Sequence, residues 1–379
     1  MATTPEKILV RGVNWLGDAV MSTPALARLR EAKPDAEIVL LTPEKISGLW
    51  EGHPAINRIM TFTAAESVLS VGGRLRAEGF GTAVIFPNSP RSALEAFLAG
   101  VPARLGYARP WRSWLLTRAV PPRADEVRML KRSPHEVRAL AEGKIAAEKG
   151  GFHPRSHHMF QYLHLVESAG ARGDAMAPMI AVTAEEVKRA CARFGTGGLG
   201  AGSGKGGGAV VIGINAGAEY GPAKRWPVAH FVEVGAKLGE QLNCVFWIFG
   251  GASDRELSKE VATGLRARGV AEDRVRLLAG ETSLRELCAA LKACDVVLTN
   301  DTGPMHVAAA VGTRVVVPFG STSWQMTGPG LPGDPGHRFL DLQVPCSPCF
   351  RRDCPIDFRC MTGITPEMAV QAVMGVVAA

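Results

Sequence analysis

Three places in the sequence combine residue types and spacing that could do chemistry. The first is Gly213–Pro227, where small residues give way to Glu219, Tyr220, Lys224 and Arg225. An apolar run, Ala209–Ile212, precedes it, and the helix-like Val228–Leu242 follows. At such a strand-to-helix junction, backbone N–H groups and a lysine can share the charge of a diphosphate. An ordinary loop with a solvated Lys224–Arg225 pair is the plainer alternative. The second place is Val10–Asp18, leading into a helix over Ala19–Ala32. Asp18 falls in the first helical turn, as a cap favoured by the helix dipole or as a general base. The third is Val297–Ala310, which holds Asn300, Asp301, Thr302, Gly303 and His306. Asp301 and Thr302 suit an N-cap and Gly303 permits close approach, so exposed amides there, helped by His306, could hold a diphosphate without a metal.

None of these is a dinucleotide loop, because the segment before Asp18 lacks the G-x-G-x-x-G spacing, which argues against a nicotinamide cofactor. The glycine-rich run Gly195–Gly208 is not a P-loop either. Leu199 stands where the first glycine is required and Gly206 where a Ser or Thr is required, so the run reads as a flexible linker.

The elements needed to position these loops are visible as alternation. Apolar runs at Ile8–Val10, Glu37–Leu41, Ile56–Thr61 and Thr82–Phe86 alternate with helical segments at Ile46–Glu51 and Ala65–Glu78. From Pro87 to Arg155 the pattern breaks, and helices resume at Gln161–Ser168 and Ala184–Phe194. A second series has strands at Val210–Ile214, Cys244–Phe249, Val275–Leu277, Val296–Thr299 and Val315–Pro318. Unbroken apolar strands alternating with helices predict parallel sheets covered on both faces. The expected fold is α/β, with two Rossmann-like domains facing across a central cleft. The expected division is 1–180, a linker at 181–208, 209–345, and a Cys-rich segment with a C-terminal helix at 346–379.

The chain has 379 residues, a formal charge of +7 and 46% hydrophobic residues. Its apolar runs fall short of a membrane span, and its N-terminus lacks a secretory signal, so a cytoplasmic location is expected. The basic balance implies an anionic partner. Between Arg104 and Arg138 nine Lys/Arg residues face three acidic ones, with Trp111 and Trp114 interleaved. This mixture suits a membrane surface or an anionic amphiphile, and a merely solvated basic face equally well. No nucleic-acid motif accompanies it.

Of eight cysteines, Cys191, Cys244, Cys288 and Cys294 lie in apolar or helical contexts and read as buried small hydrophobes. Cys346, Cys349, Cys354 and Cys360 form a C-x2-C-x4-C-x5-C cluster, which raises a structural metal, or free thiols, above disulfides in a reducing compartment.

Taken together, Asn14–Pro24, Pro87–Ser89, Ser92–Leu94, Ala99–Pro102 with Arg104, Ala216–Pro227, Leu278–Thr282 and Asn300–Ala310 resemble family 9 glycosyltransferases, the lipopolysaccharide heptosyltransferases. The Cys346–Cys360 block is similar to one found in many members of this branch. The resemblance implies a GT-B fold and inverting transfer of L-glycero-D-manno-heptose from ADP-heptose, with no cofactor required. The acceptor it implies is the first heptose of heptosyl-Kdo2-lipid A, met by a peripheral enzyme at the inner face of the inner membrane. Glu219 and Tyr220 stand where type I enzymes carry a Thr pair, which favours type II.

Carried over by position, Asp18 is the catalytic base and Lys224 the phosphate-binding lysine. Glu219, Tyr220, Arg225, Asn300, Asp301, Thr302, Gly303 and His306 contact the donor, Asp254 matches an acidic ribose-binding position, and Thr282 falls near the adenine contact. Apart from that carry-over, Asn14, Asn88, Arg104, Arg109 and Arg112 are expected to bind the acceptor. The rival readings are a type I or III enzyme with a different inner-core acceptor, and a non-catalytic nucleotide-sugar-binding protein.

Overall fold

Runs such as Val210–Asn215 and Cys244–Phe249 are buried at every position, which requires a sheet covered on both faces. The structure, a computed structural model, describes residues 5–146, 152–195 and 208–378. It contains two units, each built on a six-stranded parallel sheet.

The first unit comprises residues 1–126 and 155–181. Its elements are β1 (Lys7–Arg11), α1 (Leu16–Met21), α2 (Thr23–Ala32), β2 (Glu37–Pro43), β3 (Arg58–Phe62), α3 (Val68–Glu78), β4 (Thr82–Ile85), α4 (Pro90–Leu98), β5 (Ala103–Tyr107) and β6 (Arg118–Val120). The sheet order is β3-β2-β1-β4-β5-β6. The helix expected over Ala19–Ala32 is instead two, α1 and α2, divided at Ser22, whose hydroxyl donates to the Ala19 carbonyl.

Helix α5 (Pro134–Ala141) belongs to the second unit, which comprises residues 127–154 and 182–379. Sequence reading left 127–154 with the first domain. The structure groups them with the second because Val137 and Leu140 of α5 pack on Cys346 and Cys349. The Arg132 amide also donates to the Cys349 carbonyl at 3.0 Å. Helix α6 (Met159–Ser168) returns to the first unit and closes it.

The second unit continues with α7 (Ala184–Phe194), β7 (Val210–Asn215), α8 (Val228–Gln241), β8 (Cys244–Phe249), α9 (Arg255–Ala267), β9 (Val275–Leu277), α10 (Leu284–Ala293) and β10 (Val296–Thr299). It ends with α11 (Gly303–Ala310), β11 (Arg314–Phe319), α12 (Trp324–Thr327), β12 (Arg338–Asp341), α13 (Arg359–Thr362) and α14 (Pro366–Val377). The sheet order is β12-β11-β10-β7-β8-β9. Capping boxes at Thr183–Glu186 and Ser283–Glu286 start α7 and α10, and each satisfies amides that the first helical turn leaves open. Residues 196–207 of the glycine-rich run lie outside the described residues.

In each sheet the strand order reverses at one place, between β1 and β4 and between β7 and β10. Ligands of open α/β sheets bind beyond the carboxyl ends of strands at such a reversal. All three candidate loops leave strands there. Asn14 and Asp18 follow β1 and Asn88 follows β4, while Glu219–Arg225 follow β7 and Asn300–His306 follow β10.

Candidate active site

In the second unit, β7 and β10 are paired in parallel, with Asn215 opposite Thr299, so their exit loops start side by side. Asn300 ties the loops together. Its side-chain amide donates to the Ala216 carbonyl at 2.7 Å, and its Oδ1 accepts from the Trp226 amide at 3.0 Å. The Trp226 indole is buried in the core and donates to the Ile364 carbonyl at 3.0 Å. A tryptophan anchored this way fixes the residue two places earlier, Lys224.

Lys224 Nζ lies 2.6 Å from Asp301 Oδ2, and the same carboxylate oxygen accepts from the Thr322 hydroxyl. The capping role weighed for Asp301 and Thr302 is not what their side chains do. Thr302 occupies the N-cap of α11 without a side-chain cap bond, and Asp301 is committed to lysine. Lys224 is therefore not a bare cation as placed. Its ammonium also lies 5.0 Å from the centre of the Tyr220 ring, with the Arg352 guanidinium 5.1 Å from that ring.

The loop's other support comes from the Cys-bearing segment. The Tyr220 hydroxyl donates to the Phe350 carbonyl at 2.9 Å, and the Ala223 amide donates to the Arg352 carbonyl at 2.9 Å. Gly221 has φ of +153°, and a Cβ there would stand 2.7 Å from the Arg352 carbonyl oxygen, so only glycine permits this approach. Cys346, Cys349, Cys354 and Cys360 line one small cavity with Gly320 and Ser321. All four thiols are free. Burial, with the other three cysteines adding to it, pushes the Cys360 thiol up to about 12, and burial raises Cys346 and Cys349. Among the described residues no three His, Cys, Asp or Glu side chains are placed to hold a metal ion. Of the other cysteines, Cys244, Cys288 and Cys294 are buried and Cys191 is half-buried.

The other residues expected to meet a donor lie in the same unit. Asp254 lies against Gly217, where a Cβ would meet its carboxyl carbon at 2.6 Å, and it is 4.0 Å from Arg225 Nη2. His306 is buried in α11, Thr282 sits in the loop before α10, and Glu219 is exposed at the turn after β7.

In the first unit, Arg11 and Glu95 form a buried ion pair at 2.8 Å, with side chains 2% and 0% exposed. Arg11 also donates to Asn14 Oδ1 at 3.1 Å and stacks 4.3 Å from the centre of the Phe62 ring. Asn14 is thus held from beneath by a buried charge. Asp18, in the first turn of α1, has its carboxylate 3.7 Å from His158 Nε2.

The basic residues expected to face an acceptor are mostly turned inward. Arg104 donates to the Leu115 and Val101 carbonyls, and Arg109 pairs with Glu126 at 3.0 Å. Arg112 is fully buried and donates to the Pro87 carbonyl at 2.6 Å and to Asn88 Oδ1 at 3.5 Å. Its Nε and Nη2 have no hydrogen-bond partner, and burial pushes its pKa down to about 10. Sequence reading missed Thr322, His158, Tyr162 and Arg11. The spacing of His158 and Tyr162, one helical turn apart, was the available signal for that pair.

The sequence model of glycosyltransferase family 9 (heptosyltransferase) matches residues 68–358. The chain is 30% identical over 330 residues to lipopolysaccharide heptosyltransferase 2 of Escherichia coli K12, which covers 85% of each chain. The solved structure of E. coli ADP-heptose LPS heptosyltransferase II covers 98% of both chains with a TM-score of 0.74 at 26% identity. That of a family 9 glycosyl transferase from Veillonella parvula covers 100% of this chain and 99% of that one, with a TM-score of 0.77 at 21% identity, a likeness of fold. The architecture is GT-B. On its sequence and its fold alike, the chain belongs to glycosyltransferase family 9, the heptosyltransferases.

Proposed function

We propose that the protein transfers L-glycero-D-manno-heptose from ADP-heptose to the first heptose of heptosyl-Kdo2-lipid A, with inversion at the anomeric carbon. The observation that carries this reading is its 30% identity to lipopolysaccharide heptosyltransferase 2 across 85% of both chains. The second unit binds the donor. The diphosphate draws on Lys224 and on the amides that open α11, and these stabilise the charge that gathers on the β-phosphate as the bond to the sugar breaks. Asp301, already bonded to Lys224 and Thr322, acts by holding the lysine in place. Asp18 in the first unit takes the proton of the acceptor hydroxyl as that oxygen attacks, help typically worth about 10²–10⁴-fold in rate. Asp254 and Thr282 serve the nucleoside, and no metal or other cofactor is required.

The acceptor is a lipid, so the enzyme works at the cytoplasmic face of the inner membrane. Among the described residues no helix is long and apolar enough to cross it. Contact is peripheral, and Trp111 and Trp114, 86% and 69% exposed, support it.

The test is to incubate the protein with ADP-heptose and Kdo2-lipid A acceptors carrying zero, one or two heptoses, and to weigh the products. A mass gain of one heptose on the singly heptosylated acceptor alone is expected. Product only from the bare acceptor would assign a type I enzyme, and none from any acceptor would leave a donor-binding protein.

A further inference from the structure

His158 stands at the N-cap of α6, and one turn on, Tyr162 places its hydroxyl 3.0 Å from His158 Nε2. The two rings meet edge to face at 5.2 Å. Tyr162 is itself fixed. It is 4% exposed, Phe86 packs on it at 5.4 Å, and burial with the nearby Asp18 charge keeps its phenol neutral far above the ordinary range. His158 Nδ1 is buried without a hydrogen-bond partner, and the ring meets both Tyr162 and Asp18 through Nε2. That same nitrogen is 3.7 Å from Asp18 Oδ1. This distance is too long for a hydrogen bond and short enough for the ring edge to limit where the carboxylate can turn.

We propose that His158, its ring fixed by Tyr162, is a positioning residue that sets the orientation of the Asp18 carboxylate. The proposal rests on the reading of Asp18 as the base. Asp18 is 31% exposed and lies in the first turn of a helix of six residues, where the His158 ring edge stands beside its carboxylate. The imidazole exchanges no proton with the substrate. It presents one edge to Oδ1, and the tyrosine stops that edge from turning away. Displacing a reacting group by about 1 Å costs on the order of 10²-fold in rate, which makes such a restraint measurable.

The experiment is steady-state kinetics with ADP-heptose and the singly heptosylated acceptor. The variants are Asp18→Asn, His158→Ala, His158→Gln, Tyr162→Phe and the double variant Asp18→Asn/His158→Ala. His158→Ala should lower kcat roughly 10- to 100-fold with KM for ADP-heptose unchanged. Gln places an amide near the position of Nε2 and should restore most of that loss. Tyr162→Phe keeps the packed ring and should give a smaller fall in kcat, which preserves the test if His158→Ala folds poorly. The double variant should be no slower than Asp18→Asn alone, because a residue acting through Asp18 has nothing left to position. Losses that multiply in the double variant, or a glutamine no better than alanine, would overturn the proposal. A slow Asp18→Asn beside a normal His158→Ala sinks the positioning role alone. A normal Asp18→Asn sinks the base reading and the proposal with it.

Discussion

Lys224 and Asp301 are 77 residues apart in sequence and 2.6 Å apart in space, with both side chains largely withdrawn from water. The parallel pairing of β7 with β10 sets their exit loops side by side, and each residue lies on the loop that leaves its strand. The pair fixes the lysine in its loop. On the proposed function, a diphosphate would have to compete with this carboxylate for the lysine.

Removing the lysine therefore has two consequences. Lys224→Ala leaves the Asp301 carboxylate buried without its cation, and breaking a buried pair from one side costs about 3–5 kcal/mol. Asp301→Asn should cost less, because Thr322 still has an oxygen to bond. Urea midpoints should fall in that order. ADP titration should show Lys224→Ala weakened about 10- to 100-fold, the value of a charge-assisted hydrogen bond. Unchanged ADP affinity would remove Lys224 from the donor site.

A second buried charge makes the same argument in the first unit. Glu95 binds Arg11 through one oxygen and Arg91 through the other, at 2.8 and 3.0 Å. Glu95→Gln should destabilise the protein by about 3–5 kcal/mol, since the Arg11 guanidinium has no water to fall back on. Asn14 hangs from the same guanidinium and should lose its restraint. Thermal unfolding reads the first effect. A midpoint unmoved by Glu95→Gln would show that the pair contributes nothing net.

Much of this was legible in the sequence, and the exceptions have physical causes. Strands buried on both faces announce themselves as apolar runs, so Cys244–Phe249 and Val296–Thr299 were read at their observed bounds. Edge strands do not. In β6, Arg118 and Ala119 are exposed, and β12 has strand neighbours on one side only, so neither carries an unbroken apolar run. In β5, Gly106 breaks the pattern because the Arg112 guanidinium occupies the place its Cβ would take, at 2.6 Å. The strand-to-helix loops were legible because small and turn-forming residues interrupt the apolar and helical runs there. Which partner each charge would take was not. That Arg109 meets Glu126, Lys224 meets Asp301 and Asp18 lies by His158 depends on tertiary pairing, which local spacing does not encode.

Acid should weaken the fold through His53 before it reaches the carboxylates. His53 is buried beside Trp50, its Nδ1 accepts from the Ala55 amide, and burial lowers its pKa from 6.5 to about 4. Between those values the unfolded chain binds a proton that the folded chain refuses, so stability falls as pH drops from 6.5 toward 4. The contribution present above pH 6.5 is on the order of 3 kcal/mol. Glu78 and Glu186, held down to about 2 mainly by hydrogen bonds from Arg58 and Arg285, lose their contributions only below about pH 4.5. Urea midpoints at pH 7 and pH 5 should therefore separate markedly in the natural protein and less in His53→Phe. Equal separation in both would place the acid sensitivity elsewhere.

Membrane contact should be led by aromatic side chains, because the structure has used many of the guanidiniums internally. Arg104, Arg109, Arg112 and Arg123 donate to carbonyls or carboxylates within the first unit. Trp111, by contrast, is 86% exposed at a φ of +64°, a left-handed backbone that a bulky side chain adopts only when its surroundings impose it. Trp114 is 69% exposed and meets Phe97 edge to face at 5.8 Å, with the Arg104 guanidinium 5.3 Å from the phenylalanine ring. Indoles of this kind settle at the boundary between headgroups and acyl chains. Sedimentation with phosphatidylglycerol–phosphatidylcholine vesicles should show binding that survives raised salt better than a purely electrostatic contact. Trp111→Ala and Trp114→Ala should each weaken partitioning about tenfold or more, from roughly 1.5–3 kcal/mol of lost apolar burial. Binding abolished by salt yet indifferent to both substitutions would return the contact to the exposed arginines and lysines.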